Sequence, residues 1–190
     1  MLHTFLHNAN FHLLLTNIDQ EIAMSAFQMK CPYCSGTLHQ ANYPRSPIGI
    51  PPMFRDDYRE RLSFSCNTCR KRTTPASVRF FGRRWYPAPV FMLICLLSLG
   101  INERRLLQIK RHIGLTVSES TWKRWRRWWR ESFVATDFWR KEKGLAVSIL
   151  AETLSFPQAL LTLFSGPFDK KLCLLLRFLS PLTSGFLRAV

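Results

Sequence analysis

The chain has 190 residues, 47% of them apolar, enough to bury a core as one moderate domain or two small ones. Its formal net charge of +15 and pI near 10.3 exceed the net charge of about 2 to 8 that suffices to keep a small domain soluble, and they point to a polyanionic partner. The longest apolar run in the first two-thirds, PVFMLICLLSLGI, has 13 residues, short of the roughly 18 that a membrane span needs, which excludes a spanning helix there.

Residues 1–29 contain no Lys or Arg, so the opening MLHTFLHNANFHLLL lacks the positive n-region of a secretory signal. Two readings of this leader stay open. Either translation starts at Met24, just ahead of the first cysteine pair, or the segment is a short amphipathic helix that packs on the core.

Cys31 and Cys34 in KCPYCSGT form one Cys-x-x-Cys, and Cys66 and Cys69 in CNTCRKRT form a second, with 31 residues between the pairs. Zinc takes four thiolates converging as a tetrahedron, and each Cys-x-x-Cys turn supplies two from one tight bend. Pro32 and Gly36 favour the first bend. The separation exceeds the roughly 15 to 20 residues of the tidiest pattern, so ANYPRSPIGIPP, with its four prolines, reads as an inserted loop. A redox dithiol would need one such pair near a βαβ pattern, which is missing. His39 reads as a surface side chain. LSFSC leading into the second turn and SVRFF leaving it have the alternation and aromatic content of strands, so residues 30–86 read as a β-rich zinc ribbon. Cys95 and Cys173 lie in apolar runs and read as buried free thiols.

Pro87 and Pro89 punctuate the ribbon's end, residues 88–99 read as a buried helix, and Gly100 stops it. Residues 102–113, NERRLLQIKRHI, place Leu106, Ile109 and Ile113 at helical spacing behind an Asn102 cap, with Arg104, Arg105, Lys110 and Arg111 mostly outward. After Gly114, Thr116 and Glu119 have the spacing of a capping box for the next helix. On that helix Trp122, Trp125, Trp129 and Phe133 recur at steps of three, four and four, giving one apolar stripe destined for the core. Trp128 lies off the stripe, to pack on the tail or stack on a base or sugar. Lys123, Arg124, Arg126, Arg127 and Arg130 cover the remaining circumference. A short helix, a glycine turn and a second basic helix make a helix-turn-helix, whose second helix enters the major groove, where an arginine near its start could read guanine bidentately. A basic amphipathic helix lying on an anionic membrane is the rival reading of that face.

The succession of CPYC, CNTCRKRTTPASVRFFGRRWY, an apolar helix and TWKRWRRWWRESF resembles the N-terminal zinc-ribbon and helix-turn-helix region of bacterial insertion-sequence transposases. It is also similar to small bacterial proteins of the same layout that end near RFLSPLT. The resemblance covers roughly residues 30–135 and implies recognition of element DNA, with cutting left to a separate catalytic domain. That domain needs two or three carboxylates on a sheet to hold paired metal ions. After Phe133 the only acids are Asp137, Glu142, Glu152 and Asp169, in a segment that reads as helices.

The sequence thus predicts a mainly α protein with a small β-rich zinc ribbon, followed by a helix-turn-helix bundle and a helical C-terminal tail. Its divisions are a leader at 1–29, the ribbon at 30–86, the helix-turn-helix region at 87–135 and the tail at 136–190. The expected function is non-catalytic binding of double-stranded DNA in the cytoplasm, at the nucleoid. Cys31, Cys34, Cys66 and Cys69 would hold zinc. The DNA contacts would come from Arg70, Lys71, Arg72, Arg83 and Arg84 on the ribbon and Lys123, Arg124, Arg126, Arg127 and Arg130 on the helix. The tail is a cap or a homodimer surface. Two other classes remain: a protein-interaction module, and the DNA-targeting subunit of a separately encoded transposase or nuclease.

Overall fold

A computed structural model describes residues 4–81, 86–97, 107, 110–111, 116–145 and 156–184. Among these the chain is mainly helical, with small antiparallel sheets between the first helix and the second. No helix among the described residues is long and apolar enough to cross a membrane.

The first helix, α1 (Ala9–Gln28), starts at Asn8, whose side-chain oxygen accepts the Asn10 N–H at 3.0 Å; such a cap satisfies one of the orphan donors of a helix start. Phe11, Leu15 and Ile18 are buried at helical spacing and belong to the same core as residues of the expected helix-turn-helix region and tail. Toward its end α1 turns to the ribbon: Ala23 and Ala26 pack with Cys31, Leu38, Phe64 and Cys66 in a second, smaller apolar cluster. The helix stops where Lys30 takes a left-handed backbone (φ 61°).

Strands β1 (Leu38–Gln40), β4 (Phe64–Cys66) and β5 (Arg72–Thr73) form one sheet in the order β1-β4-β5, with Leu38 opposite Cys66. A second sheet pairs β2 (Tyr43–Pro44), inside the expected proline-rich loop, with β3 (Glu60–Arg61) beyond it, and two single-turn 3-10 helices lie between them. Pro44 lacks an N–H and so suits a two-stranded edge, where one donor fewer is tolerated.

The SVRFF segment is not a strand, apart from one isolated bridge between Phe80 and Pro87. Its backbone is taken up by side chains instead. Asp19, buried on α1, accepts from the Ser77 hydroxyl at 2.6 Å, the Val78 N–H at 2.7 Å and the Arg79 Nε–H at 2.9 Å. From the other side the Thr183 hydroxyl of the tail accepts the Ser77 N–H at 2.7 Å. Arg79 also donates to the Asp57 carbonyl. A carboxylate can be buried at modest cost only when its lone pairs are filled and its charge is opposed, and both conditions are met here.

Helix α2 (Ala88–Leu97) is almost wholly buried, as its composition predicts. The expected helix at 102–113 lies outside the described residues except for Leu107, Lys110 and Arg111, which are helical and exposed. Helix α3 (Glu119–Arg127) continues without a break into a π-helical turn, Trp128–Phe133. The cap differs from the expected box: Ser118, not Thr116, accepts the Thr121 N–H at 3.3 Å, which leaves Thr116 ahead of the helix. Ser118 has the extended backbone that an N-cap needs and Thr121 stands at its third helical position, so the same chemistry operates two residues later. Helices α4 (Asp137–Glu142), α5 (Gln158–Leu161) and α6 (Phe168–Leu179) follow. The start of the expected helix SILAETLSFPQALLTLF lies outside the described residues; of the remainder, Gln158–Leu161 is helical. Cys95 and Cys173 are buried and in no disulfide, as expected.

Beside this core His12 is 1% exposed, with Nε2 2.9 Å from the Leu6 carbonyl and Nδ1 2.9 Å from the Tyr58 hydroxyl. A carbonyl only accepts, so Nε2 carries the proton and Nδ1 accepts from Tyr58. Burial pushes the His12 pKa below its ordinary 6.5, against the Leu6 carbonyl and the Asp57 charge that favour the cation. The unfolded chain therefore binds a proton near pH 6.5 that the folded chain refuses until lower pH. His12 contributes its full stability above that value and loses it as pH falls, by up to about 1.4 kcal/mol per pH unit. Urea midpoints of wild type and His12→Gln should differ most at pH 7.5 and converge toward pH 5; a constant gap would contradict this.

Candidate metal centre and nucleic-acid interface

Two hydrogen-bonded loops of the same design deliver the four cysteines. In the first, the Ser35 N–H donates to the Cys31 carbonyl at 2.7 Å and the Cys31 N–H to the Gly36 carbonyl at 3.0 Å. In the second, Arg70 N–H donates to Cys66 carbonyl at 3.2 Å and Cys66 N–H to Lys71 carbonyl at 3.0 Å. Each loop turns out of its knuckle through a non-glycine residue at positive φ, Ser35 at 57° and Arg70 at 60°, a conformation that costs side-chain-bearing residues about 1 to 3 kcal/mol. Two such costs at equivalent positions show that the thiol geometry is held by the surrounding bonds. The β1–β4 pairing then sets one loop against the other.

The four sulfurs all lie within 4.8 Å of one another, with Cys31 to Cys69 at 3.6 Å and Cys34 to Cys66 at 3.5 Å. Thiolates about 2.3 Å from one tetrahedral ion would stand roughly 3.8 Å apart. The cluster could therefore hold a metal ion and is compatible with zinc; none of the four is in a disulfide. Gly36 is part of the fit, because a Cβ there would lie 2.6 Å from Thr68 Oγ1 and 3.0 Å from Cys66 Sγ. Backbone N–H donation from Cys69 draws the Cys66 thiol down to about 6. For Cys69 the Lys71 N–H acts in the same sense, but burial and hydrogen bonds from the other three sulfurs outweigh it and push the thiol up to about 12. His39 is exposed on β1 and not among these ligands.

The ribbon's basic residues are not equivalent. Arg70 is exposed, and Lys71 lies with Nζ 4.6 Å from the centre of the Tyr33 ring. Arg72 is exposed but bonded back onto the ribbon, donating to the Ala41 carbonyl and to Ser63 Oγ at 3.1 Å, with its guanidinium 5.5 Å from the Tyr43 ring. Arg83 and Arg84 lie outside the described residues. Tyr33 and Tyr43 escaped the reading of charge alone; a tyrosine inside the first knuckle was the available signal.

On α3 and its π turn the stripe is buried as the spacing predicts: Trp122, Trp125, Trp129 and Phe133 are at most 3% exposed. They extend an aromatic chain from Phe81 and Phe91, through Trp125 at 5.0 Å from Phe91, to Trp139 and Phe156 of the tail. Trp128 is half-buried and packs edge-on against Phe81 at 5.6 Å, which gives it a protein neighbour. Lys123, Arg124, Arg126, Arg127 and Arg130 are all exposed. Lys123 pairs with Glu119 at 2.9 Å and Arg130 with Glu131 at 3.7 Å. Arg124, Arg126 and Arg127 make no ion pair among the described residues.

No protein-family model, curated protein or solved structure matches the chain.

Proposed function

We propose that the chain is a zinc-stabilised, non-catalytic DNA-binding protein of mobile-element type, with α3 as the helix that meets duplex DNA. The observation that carries this reading is the division of one helix into a buried indole face and a cationic face with three arginines unpaired among the described residues. Like charges so crowded repel one another and weaken the helix, and the buried tryptophans hold it in place against that repulsion. Phosphates supply the missing counter-charge. Arg70 and Lys71 on the ribbon add a second basic contact, and zinc fixes the loop that carries them. Arg72, engaged with its own ribbon, contributes least of the three. The resemblance of the sequence motifs to transposase DNA-recognition regions supports the same reading.

Separate mutations on the two faces test the proposal. Trp125→Ala should cost about 3 to 5 kcal/mol of stability and lose binding only through unfolding. Arg124 and Arg127 changed together to Ala should leave the melting temperature near wild type, weaken duplex binding and reduce the salt slope by about one unit for each phosphate left unneutralised. Thermal melts beside fluorescence-anisotropy titrations give both readouts. Wild-type affinity of the double arginine variant would give precedence to the interaction-module reading.

A further inference from the structure

Helix α1 buries one face in the core, and the face it leaves in water lacks the charged side chains that a solvated helix face normally carries. Asn10, Leu13, Asn17, Gln20, Met24 and Phe27 are all exposed and recur at steps of three, four, three, four and three. That is a seven-residue repeat, the spacing of a helix-pairing seam. Leu13 and Met24 are 58% and 57% exposed, and six of the nine large apolar side chains exposed among the described residues fall between residues 13 and 33. Single apolar residues scattered over a surface need no explanation, whereas a concentration of them marks an interaction surface.

Charge narrows the choice of occupant. None of the 27 Lys and Arg lies in residues 1–29, and among the described residues the outward face of α1 carries one charged side chain, Glu21. Two copies of a chain with a formal charge of +15 repel wherever their cations meet. On α1 they can approach with no cations between them.

The stripe is also complementary to itself. In an antiparallel pair that sets Leu13 across from Met24 of a second copy, Asn17 stands across from Gln20, and the two-fold axis repeats both contacts. The Asn17 and Gln20 amides make no hydrogen bond among the described residues; across the pair each can donate and accept, and polar residues within a seam fix its register. A parallel pair would bring the exposed Lys30, just past the end of α1, against its own copy. Antiparallel helices of 20 residues, about 30 Å long, keep those ends apart and oppose their dipoles.

We infer that two copies of this chain pair antiparallel through the outward face of α1, with Leu13 on Met24 in two apolar layers and Asn17 with Gln20 between them. The contact is separate from α3 and from the four cysteines.

Sedimentation velocity of the full zinc-loaded chain under reducing conditions, from about 1 to 100 µM, tests it by the growth of a dimer with concentration. Leu13→Glu and Met24→Lys should each weaken the dimer at least about tenfold, because each places a charge in an apolar layer. Both positions are exposed in the single chain, so the melts of the variants should match wild type at low concentration. Mixed one to one, the two variants should associate nearly as wild type does. An antiparallel pair of unlike variants sets the new carboxylate against the new ammonium in one layer and keeps Leu13 against Met24 in the other; a parallel pair does neither. A chain that stays monomeric throughout, a dimer that neither substitution weakens, or a mixture that fails to recover would overturn the inference.

Discussion

Stripping the metal is expected to unfold the ribbon. Purified under reducing conditions, the chain should carry one zinc, and a strong chelator should melt residues 31–73 at temperatures where the loaded protein is intact. Structural zinc contributes on the order of 10 to 16 kcal/mol in finger peptides at neutral pH, comparable with the whole stability of a domain, roughly 5 to 15 kcal/mol. The effect should spread beyond the loops, because Ala23 and Ala26 of α1 pack on the same apolar cluster as Cys31 and Cys66. Cys66→Ser should reproduce it. Metal content with far-UV dichroism decides: fully reduced protein with no bound metal and an unchanged melt would remove zinc from the description.

The second large effect is expected at Asp19. Asp19→Ala should cost about 3 to 5 kcal/mol, the usual penalty for removing one partner of a buried ion pair. Arg79, 5% exposed, would keep its charge with no carboxylate beside it, and the Ser77 hydroxyl and Val78 N–H would lose their acceptor. Asp19→Asn retains one acceptor oxygen and should lose less. Pairing Asp19→Leu with Arg79→Met should recover most of the deficit, since replacing both charges removes the desolvation penalty as well as the attraction. Urea midpoints at saturating zinc measure all of these variants. A loss under about 1 kcal/mol for Asp19→Ala would show that the pair is not what fixes residues 77–80.

What was legible in the sequence was what rests on spacing. Two Cys-x-x-Cys pairs announce a converging thiolate set whatever lies between them, and the four sulfurs do converge. The three-four-four spacing of Trp122, Trp125, Trp129 and Phe133 fixed one buried face, even though the helix relaxes to π geometry from Trp128 onward. What was not legible rests on partners distant in the chain. Asp19 is one acid on an apolar helix face, and its ligands are 58 to 60 residues away; no local pattern distinguishes it from a solvated side chain. The alternation of SVRFF resembles a strand because its residues are half apolar, yet its backbone groups bond to Asp19 and Thr183, which periodicity does not register. The four prolines of ANYPRSPIGIPP hid the short strand β2, whose partner β3 lies beyond that loop.

The wild-type response to salt bears most directly on DNA binding. Association with a duplex of about 20 base pairs, measured by anisotropy from roughly 50 to 300 mM salt on the zinc-loaded chain, should weaken linearly on logarithmic axes. Each neutralised phosphate contributes about −0.9 to the slope, so Arg124, Arg126 and Arg127 alone require roughly −2.7 or steeper. Such a slope, shallower in the double arginine variant, supports a phosphate-facing helix; absent binding, or binding indifferent to salt, contradicts it.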